Sequence, residues 1–544
     1  MYAADILFIL SPFIFIDASA DNLLQPNIVL IIADDLGWDD VSFHGSDQIL
    51  TPNIDLLAYS GVALGRYYSH CICTPSRSAL MTGKYAHILG MQGYPLTNTE
   101  DRGLPTSEKI LPQYLKELGY ATHLIGKWHI GQSRTEYLPT SRGFDSHFGH
   151  RGGYVDYYEY TLEERLENAD VSGFGLFRNE TAAWDVEGYL TDVYSREAIS
   201  IITQHNISSP LFLMLAHNAP HSSNAGAMLQ APPEEVRKMR HIESGGRRIY
   251  AAMVKKLDDS VGYITQALFD KGILDNTVIV FIADNGGMTS GDSMNYASNW
   301  PLRGLKMSPF EGGTRVVGLV WSASFNNSNH LWNGYMHVTD WLPTILSMAK
   351  GNSPKNINGI DQWHNIQFNE DSKREEMFEI DDYTGYASIT SGDFKLVTGN
   401  VIVAYSDYQG DDLRRISGDR PSYMDAIVNS KLYNILHKIN RRLKFEDINL
   451  RNEMCINCDS DRITTCYPQN GTMCLFNIKD DPCEAKDLSA SRPDVVKTMT
   501  ARLNIEKSKT KARKVPLFRD PRSSPRFLNY TWDVWADNIK EISA

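Results

Sequence analysis

The stretch Asn27-Ile-Val-Leu-Ile-Ile-Ala33, followed at once by Asp34-Asp35, decides the fold class of this chain. A continuous apolar, β-branched run of this kind is typical of a strand buried on both faces of a parallel sheet. Three more runs also end in polar residues: Tyr120-Ala-Thr-His-Leu-Ile-Gly126 before Lys127-Trp-His129, Leu211-Phe-Leu-Met-Leu-Ala216 before His217-Asn-Ala-Pro-His221, and Thr277-Val-Ile-Val-Phe-Ile-Ala283 before Asp284-Asn285. Together the four runs predict a parallel sheet.

Helical segments between these runs complete the pattern. Residues 107–118 and 248–270 carry apolar side chains near helical spacing, and Gly119 and Gly272 follow them. This alternation predicts an α/β fold with a doubly wound, mostly parallel sheet flanked by helices. Because ligands of such sheets bind beyond the carboxyl ends of the strands, we expect the four polar endings to form one site.

After about residue 350 the pattern changes. Gly351-Asn-Ser-Pro354 is typical of a connector, short strands such as Phe394–Val397 follow, and a helix is predicted from about Pro493 to Lys507. We therefore predict a signal peptide over residues 1–20, a catalytic α/β domain over 21–350, and a smaller C-terminal α+β domain over 351–544. The last would contain an antiparallel sheet and a cysteine cluster.

The N-terminus and the charge balance indicate the compartment and exclude some partners. The apolar run Ile6–Ile16 and the small residues Ala18-Ser-Ala20 are typical of a secretory signal. No other segment is apolar enough to span a membrane, so we predict a secreted or lysosomal protein without a membrane partner. A net charge of −13 argues against nucleic acid as a partner. Five glycosylation sequons agree with this route: Asn179, Asn206, Asn326, Asn470 and Asn529.

Four polar residues at two strand ends predict a metal site. Asp34, Asp35, Asp284 and Asn285 offer hard oxygen ligands, which suit one divalent cation such as calcium or magnesium. An aspartate after a strand is also ordinary turn or helix-capping chemistry. Two matched endings on strands expected to be neighbours favour the metal site.

Basic residues at the other strand ends are further candidates. Lys127 and His129 are two apart, so along an extended strand both side chains would point to the same side. His217 and His221 compete for one role, and Pro220 predicts an exposed turn there. Lys306 lies in a predicted loop, and its position in the sequence alone does not decide whether it belongs to the site.

The most specific motif is Cys73-Thr-Pro-Ser-Arg77, continued by Ser-Ala-Leu-Met-Thr-Gly-Lys84. A cysteine, a proline two residues later and an arginine two after that form the signal by which cysteine is oxidised to formylglycine. The alternative is a buried cysteine before a helix that begins with proline. With this motif the chain resembles type I sulfatases from about Gln25 to its C-terminus, and among them it is most similar to arylsulfatase B, the N-acetylgalactosamine-4-sulfatase. Supporting landmarks are Asp34-Asp-Leu-Gly-Trp38, Gly126-Lys-Trp-His129, Gly188-Tyr-Leu-Thr-Asp192, Asp284-Asn-Gly-Gly287, Asn299-Trp-Pro-Leu-Arg-Gly304 and Thr339-Asp-Trp-Leu-Pro-Thr344.

The resemblance implies an alkaline-phosphatase-like fold and a role for each candidate. Arg77 and Lys127 would hold the formylglycine hydrate, and His129 would act on its second hydroxyl. His221 and Lys306 would hold the sulfate and its leaving oxygen. The calcium ligands would be Asp34, Asp35, Asp284, Asn285 and the modified Cys73.

A hydrate nucleophile explains why the family oxidises a cysteine. One hydroxyl attacks sulfur and the alcohol departs. The second hydroxyl then loses its proton to His129, which expels sulfate and restores the aldehyde. The implied partners are the formylglycine-generating enzyme during maturation and a sulfated small molecule or glycan as substrate. A 4-sulfated N-acetylgalactosamine is the family default, and a sulfated metabolite such as a glucosinolate is the alternative.

The sequence alone leaves two alternatives to a sulfatase open. One alternative is a phosphatase or phosphodiesterase of the same superfamily, which would normally use serine or threonine and two metals. The other is a sulfatase-derived binding protein without catalysis.

The role of the remaining cysteines is also open. Once Cys73 is set aside, six cysteines suggest disulfides, with fifteen possible pairings, while those from Cys455 to Cys483 could form a zinc site. Cys71 departs from the family pattern and could pair or be free.

Overall fold

In a computed structural model of the chain, the residues described are 25–166, 169–291, 293–325, 328–408, 420–441, 445–458, 466–469, 471–513 and 519–537. The predicted signal peptide and the sequons at Asn326 and Asn470 lie outside these ranges. None of the helices formed within them has the length and apolar character that a bilayer crossing requires.

Strands and helices alternate through the first two thirds of the described chain. The strands are β1 (Asn27–Ala33), β2 (Val62–Leu64), β3 (Tyr67–Tyr68), β4 (Ala121–Gly126), β5 (Ser146–His150), β6 (Thr161–Leu166), β7 (Ala169–Phe174), β8 (Leu176–Arg178), β9 (Thr181–Ala182), β10 (Leu211–Ala216), β11 (Thr277–Ala283), β12 (Gly318–Ser322), β13 (His330–Trp332), β14 (Met336–His337), β15 (Glu376–Asp381), β16 (Tyr386–Ser391), β17 (Phe394–Gly399) and β18 (Met473–Asn477). The α-helices are α1 (Pro52–Ser60), α2 (Cys73–Thr82), α3 (Ala86–Leu89), α4 (Leu111–Glu117), α5 (Leu190–Gln204), α6 (Pro233–Lys238), α7 (Gly245–Asp270), α8 (Glu311–Thr314), α9 (Trp341–Met348), α10 (Trp363–Phe368), α11 (Tyr423–Val428), α12 (Lys431–Lys438), α13 (Leu450–Met454) and α14 (Pro493–Lys507).

The large sheet has the order β13-β2-β12-β11-β1-β10-β4-β5-β8-β9. Its central strands β11, β1, β10, β4 and β5 are all parallel, and an antiparallel strand flanks them on each side, β12 beside β11 and β8 beside β5. Every residue of β1, β10 and β11 is buried, as the continuous apolar runs require. The predicted mostly parallel sheet flanked by helices is confirmed. Three of the four strands have the predicted bounds, and the fourth begins one residue later than predicted, at Ala121.

The C-terminal part forms the expected small antiparallel sheet, in the order β15-β16-β17-β18. Helix α14 has the predicted bounds and packs on this sheet through Met499 and Leu503, which join a buried cluster with Ile389 and Leu396. Tyr85, from the loop before α3, belongs to the same cluster, so the small sheet packs against the chain that follows α2.

The cysteines show why the zinc alternative is wrong. Cys458 pairs with Cys483, and Cys466 pairs with Cys474, so four thiols of the cluster are consumed in disulfides. Cys71 is a buried thiol outside any disulfide, and its Sγ lies 2.9 Å from the Tyr386 hydroxyl oxygen. Six cysteines remain when Cys73 is set aside, but this even number does not mean that Cys71 is paired.

Candidate active site

The four polar strand endings meet at the carboxyl edge of the central sheet, as the topology predicts. Backbone hydrogen bonds continue the strand registers past the strand ends. The Asp34 amide donates to the Ala219 carbonyl at 3.2 Å, the Asp284 amide to the Ala33 carbonyl at 3.1 Å, and the Lys127 amide to the Ala216 carbonyl at 2.8 Å. Residues far apart in the chain thereby form one cluster.

Helix α2 brings Cys73 to this cluster. The helix begins at Cys73 and ends before Gly83, which has a φ of +67° and caps the helix by donating to the Ala79 carbonyl. Ser69, just before the helix, donates to the Asp284 carbonyl at 2.6 Å and so ties the loop to β11. Burial raises the pKa of the Cys73 thiol. An unmodified thiol here would stay protonated and be a poor nucleophile.

Three cations pair with the acidic residues. Arg77 donates to Asp284 Oδ2 from Nη2 at 2.9 Å and from Nε at 3.1 Å. Lys127 Nζ donates to Asp34 Oδ2. Lys306 Nζ lies 2.7 Å from Asp35 Oδ2. The predicted basic and acidic candidates are thus brought together in a charge-balanced, buried cluster.

The acidic residues have unusual proton affinities. Burial and the neighbouring Asp34 raise the pKa of Asp284 to about 6, despite the opposing effect of Arg77. Burial alone would also raise the pKa of Asp35, but Lys306, His221 and Lys127 together lower it to about 2. Burial alone would lower the pKa of Lys306, but the same Asp35 carboxylate raises it above its usual value, so this ammonium stays charged.

Two buried oxygens in the cluster fit a cation. Asp34 Oδ1 and Asn285 Oδ1 have no hydrogen-bond partner among the residues described. An unsatisfied buried acceptor is costly, and a cation would supply the missing partner. Asn285 donates its amide hydrogen to Asp35 Oδ1 at 2.6 Å, which leaves its own oxygen available. Ligand atoms of Asp34, Asp35 and His221 lie within 4.8 Å of one another, so His221 adjoins the carboxylates of the predicted metal site.

His129 is held as a neutral imidazole. Its Nε2 lies 2.8 Å from the Leu96 carbonyl oxygen, which can only accept, so Nε2 carries the hydrogen and Nδ1 has a lone pair. Nδ1 is buried and has no hydrogen-bond partner within the described ranges. Burial, reinforced by Lys127, lowers the pKa of His129 well below its usual value. The prediction that Lys127 and His129 point to the same side assumed that the strand stays extended. The backbone at His129 is instead left-handed, with a φ of +61°.

The structure separates the two competing histidines. His217 Nε2 lies 3.0 Å from Ser260 Oγ of α7, away from the cluster. His221 Nε2 accepts from Lys306 Nζ at 3.0 Å, and burial together with Lys306 lowers the pKa of His221 to about 3. The predicted exposed turn is wrong. Tyr157 covers the segment by donating to the carbonyls of Asn218 and His221 at 3.0 and 2.9 Å.

A cavity of about 500 Å³ lies above these residues. Cys73, His129, His221 and Lys306 line its floor, whereas Arg77 and Lys127 are buried behind them. The walls include residues that no motif indicated, because they come from loops and from the β6–β7 hairpin: Tyr94, Leu96, Gly153, Tyr154, Glu164, Met288, Met307 and Tyr383. A volume of this size is in the range of small-molecule sites, about 300–1,000 Å³.

Comparison with known proteins agrees with this geometry. The family described as Sulfatase matches residues 26–351. Mouse Arylsulfatase J is 36% identical over 524 residues, which cover 95% of this chain and 82% of that protein. Mouse N-acetylgalactosamine-6-sulfatase is 33% identical over 376 residues, 66% of this chain and 69% of that protein. A crystal structure of Ps i-CgsB in complex with k-i-k-neocarrahexaose is 29% identical, with a TM-score of 0.70, and the match covers 90% of this chain and 95% of that chain. The chain belongs to the sulfatase family and is a sulfuric ester hydrolase.

Proposed function

We propose that this sulfatase removes sulfate from a sulfated sugar, with formylglycine at position 73 and one divalent cation, calcium or magnesium. The observation that carries the proposal is Cys73 at the start of α2, on a cavity floor shared with His129, His221 and Lys306. The resemblance to arylsulfatase B favours a 4-sulfated N-acetylgalactosamine. The relative named N-acetylgalactosamine-6-sulfatase makes the 6-sulfate the first alternative, and a glucosinolate is the second.

The charge balance of the cluster supports the cation and an anionic substrate. Three carboxylates, from Asp34, Asp35 and Asp284, face three basic groups, from Arg77, Lys127 and Lys306. We propose that Asp34, Asp35, Asp284, Asn285 and the oxidised residue 73 hold the cation, which would add positive charge to this balanced set. A bound divalent cation would polarise sulfate oxygens and stabilise developing negative charge. A sulfate ester would then be attracted locally although the whole chain is acidic.

The side chains have geometry that fits the proposed steps. Formylglycine, as its hydrate, supplies one hydroxyl that attacks sulfur and displaces the sugar alcohol, and a second whose deprotonation expels sulfate and restores the aldehyde. His129 would accept that proton at Nδ1, because Leu96 fixes the hydrogen on Nε2. Lys306 lies at the cavity floor and would bind a sulfate oxygen. Arg77 donates from Nη1 to the Lys127 carbonyl at 3.1 Å, which orients both cations. The N-terminus of α2 adds a favourable dipole for an anion.

We also propose the maturation route and the domain division that the sequence predicts. Oxidation of Cys73 would require a formylglycine-generating enzyme, and the protein would be secreted or lysosomal and glycosylated. Among the described sequons, the asparagines at 179, 206 and 529 are exposed. The family match over residues 26–351 supports a division near residue 350.

The proposal is tested by turnover of a chromogenic aryl sulfate beside the matching aryl phosphate. The chain is coexpressed with the formylglycine-generating enzyme, and mass analysis measures the conversion of Cys73. We expect rapid turnover of the sulfate and little of the phosphate. A fully converted protein that hydrolyses neither ester, or prefers the phosphate, would contradict the proposed reaction.

A glycine beside the imidazole gives a second test. A methyl group on Gly153 would lie 3.0 Å from His129 Cε1 and 3.1 Å from Nε2. Such close contacts would displace the ring, so we expect Gly153→Ala to lower kcat by about 10- to 100-fold, since small misplacements of a catalytic group are costly. Gly226→Ala is the matched control, because a methyl group there meets no atom within 4 Å. An unchanged kcat for Gly153→Ala would argue against His129 as the base.

A further inference from the structure

The mouth of the active-site cavity continues onto the C-terminal antiparallel sheet. Ile72, Tyr94 and Met307 line both the cavity and an adjoining depression. The depression is otherwise bounded mainly by residues of the β15–β16 connection and of the loop after β17, among them Thr384 and Asn400. One surface therefore runs from the cavity floor to the small sheet.

Aromatic side chains are exposed along this surface. Tyr94 is 42% exposed and Tyr383, in the β15–β16 connection, is 53% exposed, and both line the cavity. Ile402, in the depression, is 47% exposed. Single exposed apolar residues are common on proteins, but several that line one cavity and its adjoining depression indicate a binding surface.

Polar groups beside these tyrosines match the chemistry of a sugar ring. Asn400 offers its side-chain amide within the depression, and the Thr384 hydroxyl, which donates to Asp381 Oδ2, can still accept a hydrogen bond. The Arg513 guanidinium carbon lies 5.0 Å from the centre of the Tyr383 ring, which helps to hold the ring in place. A sugar has one apolar face of C–H groups and an edge of hydroxyls, so it suits an aromatic face with polar neighbours.

The position of the surface favours an extended substrate. The sulfate ester must reach the cavity floor at Cys73, whereas Tyr94 and Tyr383 line the cavity and are exposed to solvent. A small sulfated metabolite that fills the floor would leave these tyrosines exposed. The next ring of a sugar chain would cover them.

We propose that Tyr94 and Tyr383 form a second sugar-binding subsite that holds the ring next to the sulfated one. The substrate is then an oligosaccharide rather than a small sulfated metabolite. This inference rests on the proposed function and extends it. It also gives the C-terminal sheet a part in substrate selection.

Equilibrium binding to the full-length Cys73→Ala protein tests the subsite without turnover. The probes are chondroitin sulfate trisaccharides with a 4- or 6-sulfated N-acetylgalactosamine at the non-reducing end, and the matching sulfated monosaccharides. We expect the better trisaccharide to bind about tenfold more tightly than its monosaccharide, as one ring stacked on an aromatic face allows. Adding Tyr94→Ala or Tyr383→Ala should remove most of this advantage.

Tyr530→Ala is the matched control, because Tyr530 is 72% exposed and lies outside the cavity lining. It should leave the trisaccharide advantage unchanged. Three outcomes would overturn the subsite. They are equal affinity for trisaccharide and monosaccharide, equal losses of affinity for both sugars in the tyrosine variants, and no binding of any of these sugars. Failure of the subsite is distinguished from failure of the proposed reaction by the aryl sulfate assay on wild-type protein, because an aryl sulfate has no second sugar ring.

Discussion

Replacing Cys73 with alanine is expected to abolish sulfate release, lowering kcat by about 10⁵- to 10⁶-fold, as removal of a covalent nucleophile does in other hydrolases. Cys73 starts α2 and lines the cavity floor, and no other cysteine lines that cavity in the described structure. The measurement is aryl sulfate turnover by wild-type and variant proteins matched for folding by circular dichroism.

Cys71→Ala is the control that the chain itself provides. Cys71 lies two residues before the nucleophile but its Sγ contacts the Tyr386 hydroxyl at 2.9 Å, on the side of the C-terminal sheet. We expect the Cys71 variant to lose some stability and to retain most of its turnover. Equal loss of turnover in the two variants, or substantial turnover by Cys73→Ala, would remove Cys73 from the role of nucleophile.

Arg77→Ala is expected to lower the free energy of unfolding by about 3–5 kcal/mol, the range for breaking a buried ion pair from one side. Arg77 is 1% exposed, and its guanidinium lies 2.9 Å from Asp284 Oδ2 and 3.8 Å from Asp34 Oδ2. Without it, the buried Asp284 carboxylate loses its paired cation, and Asp34 is left with Lys127. Denaturant unfolding measures the loss, and added calcium should restore part of it if a cation binds the same carboxylates.

Arg374→Ala separates stability from catalysis. Arg374 is also buried and donates from Nε to Asp340 Oδ2 at 2.7 Å, but it does not line the cavity. We expect Arg374→Ala to lose a comparable amount of stability but to keep its kcat at temperatures where the protein is folded. Arg77→Ala should lose both stability and kcat. A lysine at position 77 should rescue little, because it cannot reproduce the two-pronged contact with Asp284. An Arg77 variant as stable and active as wild type would contradict the proposed cluster.

The central strands and their polar endings could be predicted because both signals are local. A strand buried on both faces needs a continuous apolar run, so the bounds of β1, β10 and β11 follow from composition. The meeting of Asp34 and Asp284 follows from the rule that parallel strands share one carboxyl edge. Neither inference needs a long-range contact to be known in advance.

Other parts of the site depend on contacts that no local pattern encodes. Lys306 lies in a loop, and only its 2.7 Å contact with Asp35 gives it a place in the cluster. Tyr157 hydroxyl contacts bury His221, although proline before it is typical of an exposed turn. The cavity walls at Tyr94 and Tyr383 come from loops brought together by the packing of the small sheet.

The long sequence separations in the catalytic cluster have a consequence for refolding. Arg77 and Asp284 are 207 residues apart, and Asp35 and Lys306 are 271 apart. Loops of this length close late, and parallel sheets form slowly, so native chemistry arises only when most of the large sheet has assembled. Regained activity after dilution from denaturant should therefore lag behind regained helix content, and enzymatic turnover becomes an all-or-none reporter of completed folding.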